Sequence, residues 1–168
     1  VSPLLLSRTD EGEAPDAEVH RAALAHSAKL IADVDFQVLA GSQTQLTEVG
    51  FKRVYAPPLQ AVLVHPALVR PWHEYVVLAL RARNCYQRDV HYVVHEAKVQ
   101  IVDVSTGRIF EDRTWSDGLQ QAIEAREKVE IRAESKALAR VTRQRLFRKY
   151  EFLGGMTGTA ADCEKEFA

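Results

Sequence analysis

His91 and His95 are four residues apart and Glu96 follows at once, the residue types of a zinc-protease helix. In such a helix both imidazoles bind one metal and the glutamate activates its water. Position 99 is Val, so the second histidine of that motif is missing. Tyr92-Val93-Val94 also reads as a strand, in which residues four apart stand roughly 13 Å from each other, too far to share an ion. His65 and His73 flank Pro66–Pro71 and converge on a loop, with no Ser or Cys beside them in a nucleophile context. Gly118 and Gly154-Gly155 stand at helix ends rather than in a phosphate cradle. Neither a catalytic constellation nor a cofactor or metal site is nominated, and the expectation is that the protein is not an enzyme.

The other chemistry-bearing cluster is basic. Lys136, Arg140, Arg143, Arg145, Arg148 and Lys149 follow one another with Phe147 and Tyr150 interleaved and no acid between them. Such a surface binds an acidic protein partner, or grips RNA phosphates or an anionic surface with steep salt dependence. With a net charge of −1 and a pI near 6.7, any preference for polyanions is local to that end. Arg140, Arg143, Leu146, Arg148, Lys149, Tyr150 and Leu153 are the expected partner-binding residues, because Arg and Tyr carry interface energy when buried and the leucines add apolar anchors.

The elements that position this cluster are read from periodicity. Residues 1–16, punctuated by Pro3, Gly12 and Pro15, form a flexible arm. Asp16 caps an amphipathic helix over 17–34, with Val19, Ala23, Leu24, Ala28 and Ile31 on one face. A short apolar stretch, Phe36–Ala40, ends at Gly41. Strands are expected over 59–64, 75–83 and 91–104, and Ser105-Thr106-Gly107 turns the last into an antiparallel return over 108–115. A helix then runs over 117–153, capped by Ser116 or Asp117 and ended by Gly154-Gly155, a rod of roughly 55 Å. It carries five acids and three bases from Asp117 to Glu134, then the basic run. A tail over 154–168 closes the chain, and no internal repeat is evident. The fold class is α+β: a small antiparallel meander with an N-terminal helix and the long C-terminal helix packed on one face, a single domain over 17–153.

No apolar run is long enough for a membrane span. The chain begins at Val1 without an initiator Met, which reads as a processed chain of an organelle (mitochondrial) or an extracytoplasmic compartment. Cys85 and Cys163 are placed to pair in an oxidising compartment or to stand as two thiols.

One resemblance comes from two short motifs. Gln37-Val38-Leu39-Ala40-Gly41 resembles the QxVxG loop of cystatins, and Pro71-Trp72 resembles their second inhibitory loop. The resemblance implies wedging into a cysteine-protease cleft. Three functions are therefore expected: foremost a non-catalytic subunit or adaptor of a multi-protein assembly, contacting partners through its long helix and arms; then an RNA-contacting accessory protein of a ribonucleoprotein; then a cystatin-like protease inhibitor.

Overall fold

The computed structural model describes residues 4–8, 12–56, 66–111, 113–134 and 136–154. Its elements, in order, are β1 (Leu4–Arg8), α1 (Ala17–Ser27), β2 (Phe36–Leu39), β3 (Gln43–Leu46), α2 (Glu48–Val54), α3 (Trp72–Asn84), β4 (Tyr92–His95), β5 (Lys98–Val102), β6 (Ile109–Phe110), α4 (Leu119–Glu127), β7 (Lys136–Val141) and α5 (Arg143–Phe147). Helices and small antiparallel sheets make the fold α+β, as expected. The chain falls into two compact units, Thr9–Glu134 and the joined ends Val1–Arg8 with Ser135–Ala168.

In the larger unit α1, α3 and α4 pack together, and α3 is the centre. Trp72, Tyr75, Val76, Ala79 and Leu80 pack with Val19 and Ala23 of α1 and with Phe36 and Val54. Its other side gives Leu78 and Ala82 to a second cluster with Tyr92, Val99, Leu119, Ala122 and Ile123. Seven of the thirteen residues of α3 are buried, so no polar stripe marks its helical period, and the same residues read as an alternating strand over 75–83. The expected strand is thus a helix. Its last turn is closed by Arg126, whose guanidinium donates to the carbonyls of Ala82 and Tyr86.

The long helix over 117–153 is not formed. α4 ends at Glu127 because Lys128 turns left-handed (φ 57°), and the Lys128 and Val129 N–H groups donate to Ala125 and Glu124 carbonyls. The chain then folds back. The fully buried Glu124 carboxylate accepts from the Arg132 N–H at 2.9 Å and from Gln120 Nε2 at 2.9 Å, while Gln121 Nε2 donates to the Arg132 carbonyl. A buried carboxylate is tolerable when its lone pairs are filled in this way. Ile131, wholly buried, packs with Ala14, Ala17 and Ala125. The start also differs: Gly118 (φ 82°), not Ser116 or Asp117, precedes the first turn.

Other boundaries shift for local reasons. α1 stops at Ser27, whose hydroxyl bonds back to the Leu24 carbonyl, rather than reaching residue 34. Asp16 stands before α1 but does not cap it: its carboxylate accepts from the Tyr75 hydroxyl at 2.8 Å and lies 3.6 Å from His20 Nε2. The expected strand over 91–104 is broken by Glu96-Ala97, both left-handed (φ 49° and 57°), which form a two-residue hairpin turn. Gly107 has the expected positive φ (69°), but only Ile109–Phe110 return to pair with β5. The expected strand over 59–64 lies outside the described residues.

A repeat, unseen in the sequence, is present. Ala32-Asp33-Val34-Asp35-Phe36-Gln37-Val38 and Arg88-Asp89-Val90-His91-Tyr92-Val93-Val94 each follow a helix and open a hairpin. Asp33 and Asp89 are both left-handed (φ 62° and 65°). Their N–H groups donate to the Phe36 and Tyr92 carbonyls at 2.8 and 2.7 Å; Asp35 and His91 donate to Ile31 and Gln87 at 2.8 and 2.9 Å. Thr47 and Val102 donate back to Asp35 and His91, both at 2.9 Å. Even the side-chain bond recurs with changed chemistry: the Ile31 N–H donates to Asp35 Oδ2 at 2.9 Å and the Gln87 N–H to His91 Nδ1 at 3.1 Å. Phe36 and Tyr92 are buried at matching places. Few letters recur, and the second hairpin loop is one residue shorter, which hides the repeat from a scan at fixed period.

In the smaller unit β1 pairs antiparallel with β7 through a bulge at Leu6/Ser7, and Thr142 caps α5 by accepting from the Arg145 N–H.

Two predictions follow from these contacts. Lys128→Gly should stabilise the protein by about 1 kcal/mol, because glycine adopts the left-handed cap without a Cβ penalty; a helix continuing through 128 would instead lose about as much, and thermal denaturation separates the two. Burial pushes the Asp16 carboxyl up, but the hydrogen bonds from His20 and Tyr75 and the charge of His20 outweigh it and hold it below its ordinary 3.8. That contribution is whole above pH 3.8 and fades as the pH falls through the lowered value. Acid unfolding should therefore flatten below pH 3.8 in Asp16→Asn, read by circular dichroism.

Candidate functional site

The loop 31–35, the β2–β3 hairpin and α2 form one surface, held from beneath. Asp35 is fully buried and paired with the Arg53 guanidinium. The Thr47 hydroxyl donates to the Val34 carbonyl at 2.6 Å and accepts from the Gly50 N–H at 3.0 Å, as the N-cap of α2. Gly50 lies so close to Asp35 that a Cβ would stand 1.8 Å from the Asp35 carbonyl oxygen. At the hairpin tip Arg81 Nε donates to the Ser42 carbonyl at 3.1 Å, and Thr44 Oγ1 lies 3.6 Å from Cys85 Sγ. These bonds place β3 against α3 and leave β2 outermost.

Beside exposed polar residues such as Asp33, Gln37, Glu48 and Lys52, this scaffold displays several large apolar side chains. Ile31, Val34, Val38, Leu39, Val49 and Phe51 are all between 41% and 55% exposed. Phe51 joins Tyr55 and His73 in an aromatic group with centroids 5.1 Å from Phe51 to each partner, and the Tyr55 hydroxyl meets His73 Nδ1 at 2.9 Å. Six half-exposed large apolar residues within twenty-one positions, on a pinned backbone, suit recognition of another chain rather than bond-making. β2 and β4 are also edge strands of their sheets.

The residues expected to matter from sequence lie elsewhere. Arg140 is in β7 opposite Leu5. Arg143 and Leu146 are on α5; Arg148, Lys149, Tyr150 and Leu153 follow it, with Tyr150 58% and Leu153 66% exposed. They occupy a strand, a short helix and the segment beyond, not one rod. His91 and His95 sit at opposite ends of a strand's length and are not brought together; His65 and Cys163 lie outside the described residues, so the choice between a Cys85–Cys163 pair and two thiols falls there too. Among the described residues no three metal-binding side chains gather. No described helix is long and apolar enough to cross a membrane. Of the cystatin-like motifs, Val38–Gly41 does form a hairpin end, but Trp72 is buried at the start of α3, donating to the Val54 carbonyl, and offers no inhibitory loop.

Comparison with known proteins gives the chain its family. Residues 16–124 match the family model of the SecA preprotein cross-linking domain, and the chain belongs to that family. It is 53% identical over 97 residues to the protein translocase subunit SecA of Thermosynechococcus vestitus, a match covering 58% of this chain and 10% of that protein. The SecA of Cyanidioschyzon merolae is likewise 53% identical over 97 residues, 58% of this chain and 12% of its own length. That of Variovorax paradoxus is 51% identical over 110 residues, 66% of this chain and 12% of its own. The chain spans about a tenth of the length of these relatives.

The relatives are subunits of a larger assembly, the coarse role expected from sequence; they lend nothing to the RNA or inhibitor readings. The expectation that the protein is not an enzyme is overturned, because the family is that of a translocase, and most of each relative's length lies outside the matched stretch.

Gly50→Ala tests the pinned scaffold. The added methyl meets backbone, so α2 must shift from the loop 31–35, at a cost of about 1–3 kcal/mol, visible as a lowered urea midpoint.

Proposed function

We propose that the chain is the preprotein-contacting part of an ATP-hydrolysing protein translocase subunit, and that it holds preprotein on the apolar surface of loop 31–35, β2 and α2. The observation that carries this reading is the match of residues 16–124 to the preprotein cross-linking domain, within which that surface lies. The chemistry agrees. A translocated chain must be bound while unfolded, and an unfolded chain differs from a folded one in offering apolar side chains and unpaired backbone. Half-exposed Val38, Leu39 and Phe51 meet the first need, and edge strands meet the second. Arg143, Arg148, Lys149 and Tyr150, together with Arg140, Leu146 and Leu153, serve in this reading as a contact for other protein subunits, supported by the exposure of Tyr150 and Leu153.

Photo-crosslinking tests the assignment. Benzoylphenylalanine placed at Val38 or Phe51 should form adducts with an unfolded preprotein at several times the yield obtained at Glu18, an exposed acid on α1. Equal yields at the three positions would remove the surface from consideration.

A further inference from the structure

The last turns of α1, α3 and α4 converge on a cavity of about 340 Å³ lined by Leu24, Arg83 and Arg126. That volume lies at the small end of the range for small-molecule sites. The apolar wall is Leu24, held in place because it packs against both the α1–α3 cluster and the cluster around Ile131. The polar walls are two guanidiniums in different circumstances. Arg126 is fixed: its Nη1 donates to the Ala82 carbonyl and, at 2.6 Å, to the Tyr86 carbonyl, and its Nε stands 3.6 Å from Glu127. Its Nη2 has no partner among the described residues. Arg83 is exposed in the last turn of α3 and makes no hydrogen bond or ion pair among the described residues.

Helix C-termini attract cations, and both arginines agree with that. Capping accounts for Arg126, but it leaves Arg83 and the space between the two unexplained. The carbonyls at the end of α3 are already occupied by Arg126. Glu127, the acid at hand, is shared with the Tyr92 hydroxyl at 2.7 Å and with Arg88 at 3.4 Å. The cavity therefore combines surplus positive charge with an apolar wall.

We infer that this cavity binds a small aliphatic carboxylate, with its two oxygens shared between Arg83 and Nη2 of Arg126 and its alkyl chain against Leu24. A guanidinium presents N–H groups in a planar fork that matches a carboxylate, and a charged acceptor gives the stronger bonds. Arg126 is immobilised beforehand, so only Arg83 loses side-chain freedom when the ligand arrives. A bare inorganic anion would leave Leu24 in water, whereas a short alkyl stem covers it. The site uses none of the residues assigned above to preprotein contact. Because the ligand bridges the ends of three helices, its binding favours the assembled bundle.

Hexanoate is the probe, titrated into the full chain at neutral pH and physiological ionic strength and followed by NMR of arginine Nε–H and leucine methyl groups. The Arg83, Arg126 and Leu24 signals should shift together and saturate, with a Kd of about 1 mM, and the melting temperature should rise. Arg83→Gln, at a position without partners, should keep the fold and weaken hexanoate about tenfold, the loss of one charged hydrogen bond. Arg83→Lys should recover part of that loss, since it restores the charge without the fork. Hexanamide, which keeps the chain and lacks the charge, should bind about tenfold more weakly, and so should acetate, which keeps the charge and lacks the chain. Hexanoate shifts that never saturate, that extend equally to Arg143 and Arg148, or that survive Arg83→Gln in a folded variant would overturn the site. Equal binding of hexanamide or of acetate would overturn the ligand class. Should Arg83→Gln unfold the chain, the comparison of hexanoate with hexanamide decides without any substitution.

Discussion

Everything in the larger unit depends on α3 giving apolar side chains to two core clusters at once, with seven of its thirteen residues buried. Trp72, Tyr75 and Leu80 are fully buried on one side and Leu78 and Ala82 serve the other. Each fully buried side chain of that size contributes about 1.5–3 kcal/mol, and together they force α1, α4 and both hairpins to assemble around one rod. The hairpins are then placed by succession: the one after α1 lies on α3, and the one after α3 shares its core with α4. A helix-then-hairpin unit cannot cover its own apolar face, and each copy is completed by the helix of the next. This is the logic of a repeat array reduced to two copies.

Buried charge fixes where the chain must turn. Glu124 takes the Arg132 N–H within its shell of donors, and that bond exists only if the chain reverses after Lys128. Asp35 similarly accepts from Ile31 and Arg53, which requires α2 to return over the loop. A carboxylate left in either place without those donors would cost far more than the turn. Specific reversals, more than overall stability, are what these residues determine. The second hairpin satisfies the turn with different chemistry, a half-buried histidine replacing the aspartate and accepting from the Gln87 N–H.

The parts that were legible in the sequence are those with one-sided burial or a conventional turn. The start of α1 at Ala17, the break at Gly41 and the turn at Gly107 are signalled by residue type, and the mix of helix and antiparallel strand followed. What stayed hidden has common causes. α3 lacks a polar stripe. Glu96, Ala97 and Lys128 hold positive φ without being glycine, so two reversals look like continuous structure. The apparent stripe through Leu119, Ile123, Ala133 and Val141 had no apolar member from Arg126 to Lys128, and that gap was the available sign of the helix end. The candidate surface was visible only as a short apolar stretch, Phe36–Ala40; of it Phe36 is core while Val38 and Leu39 are exposed, a distinction that needs the tertiary structure. The basic run drew attention because charge is the property a sequence states most plainly, although it says little about where an apolar chain is held.

A surface that must hold a moving polypeptide has conflicting requirements. Tight binding at one place would stall the chain, and loose binding would lose it. In the proposed reading several half-exposed apolar side chains, each a weak contact, meet both demands, because one can let go while others hold. Each edge emerges from a turn whose bonds fix its backbone, and each turn is seated on the buried face of a shared helix bundle, so little ordering remains to be done when a chain arrives. Backbone contacts also suit a cargo of varied sequence, since every residue but proline offers the same donor and acceptor. In that reading selectivity comes from the half-exposed Val38, Leu39 and Phe51, which reward apolar stretches of the kind an unfolded chain exposes and a folded one conceals.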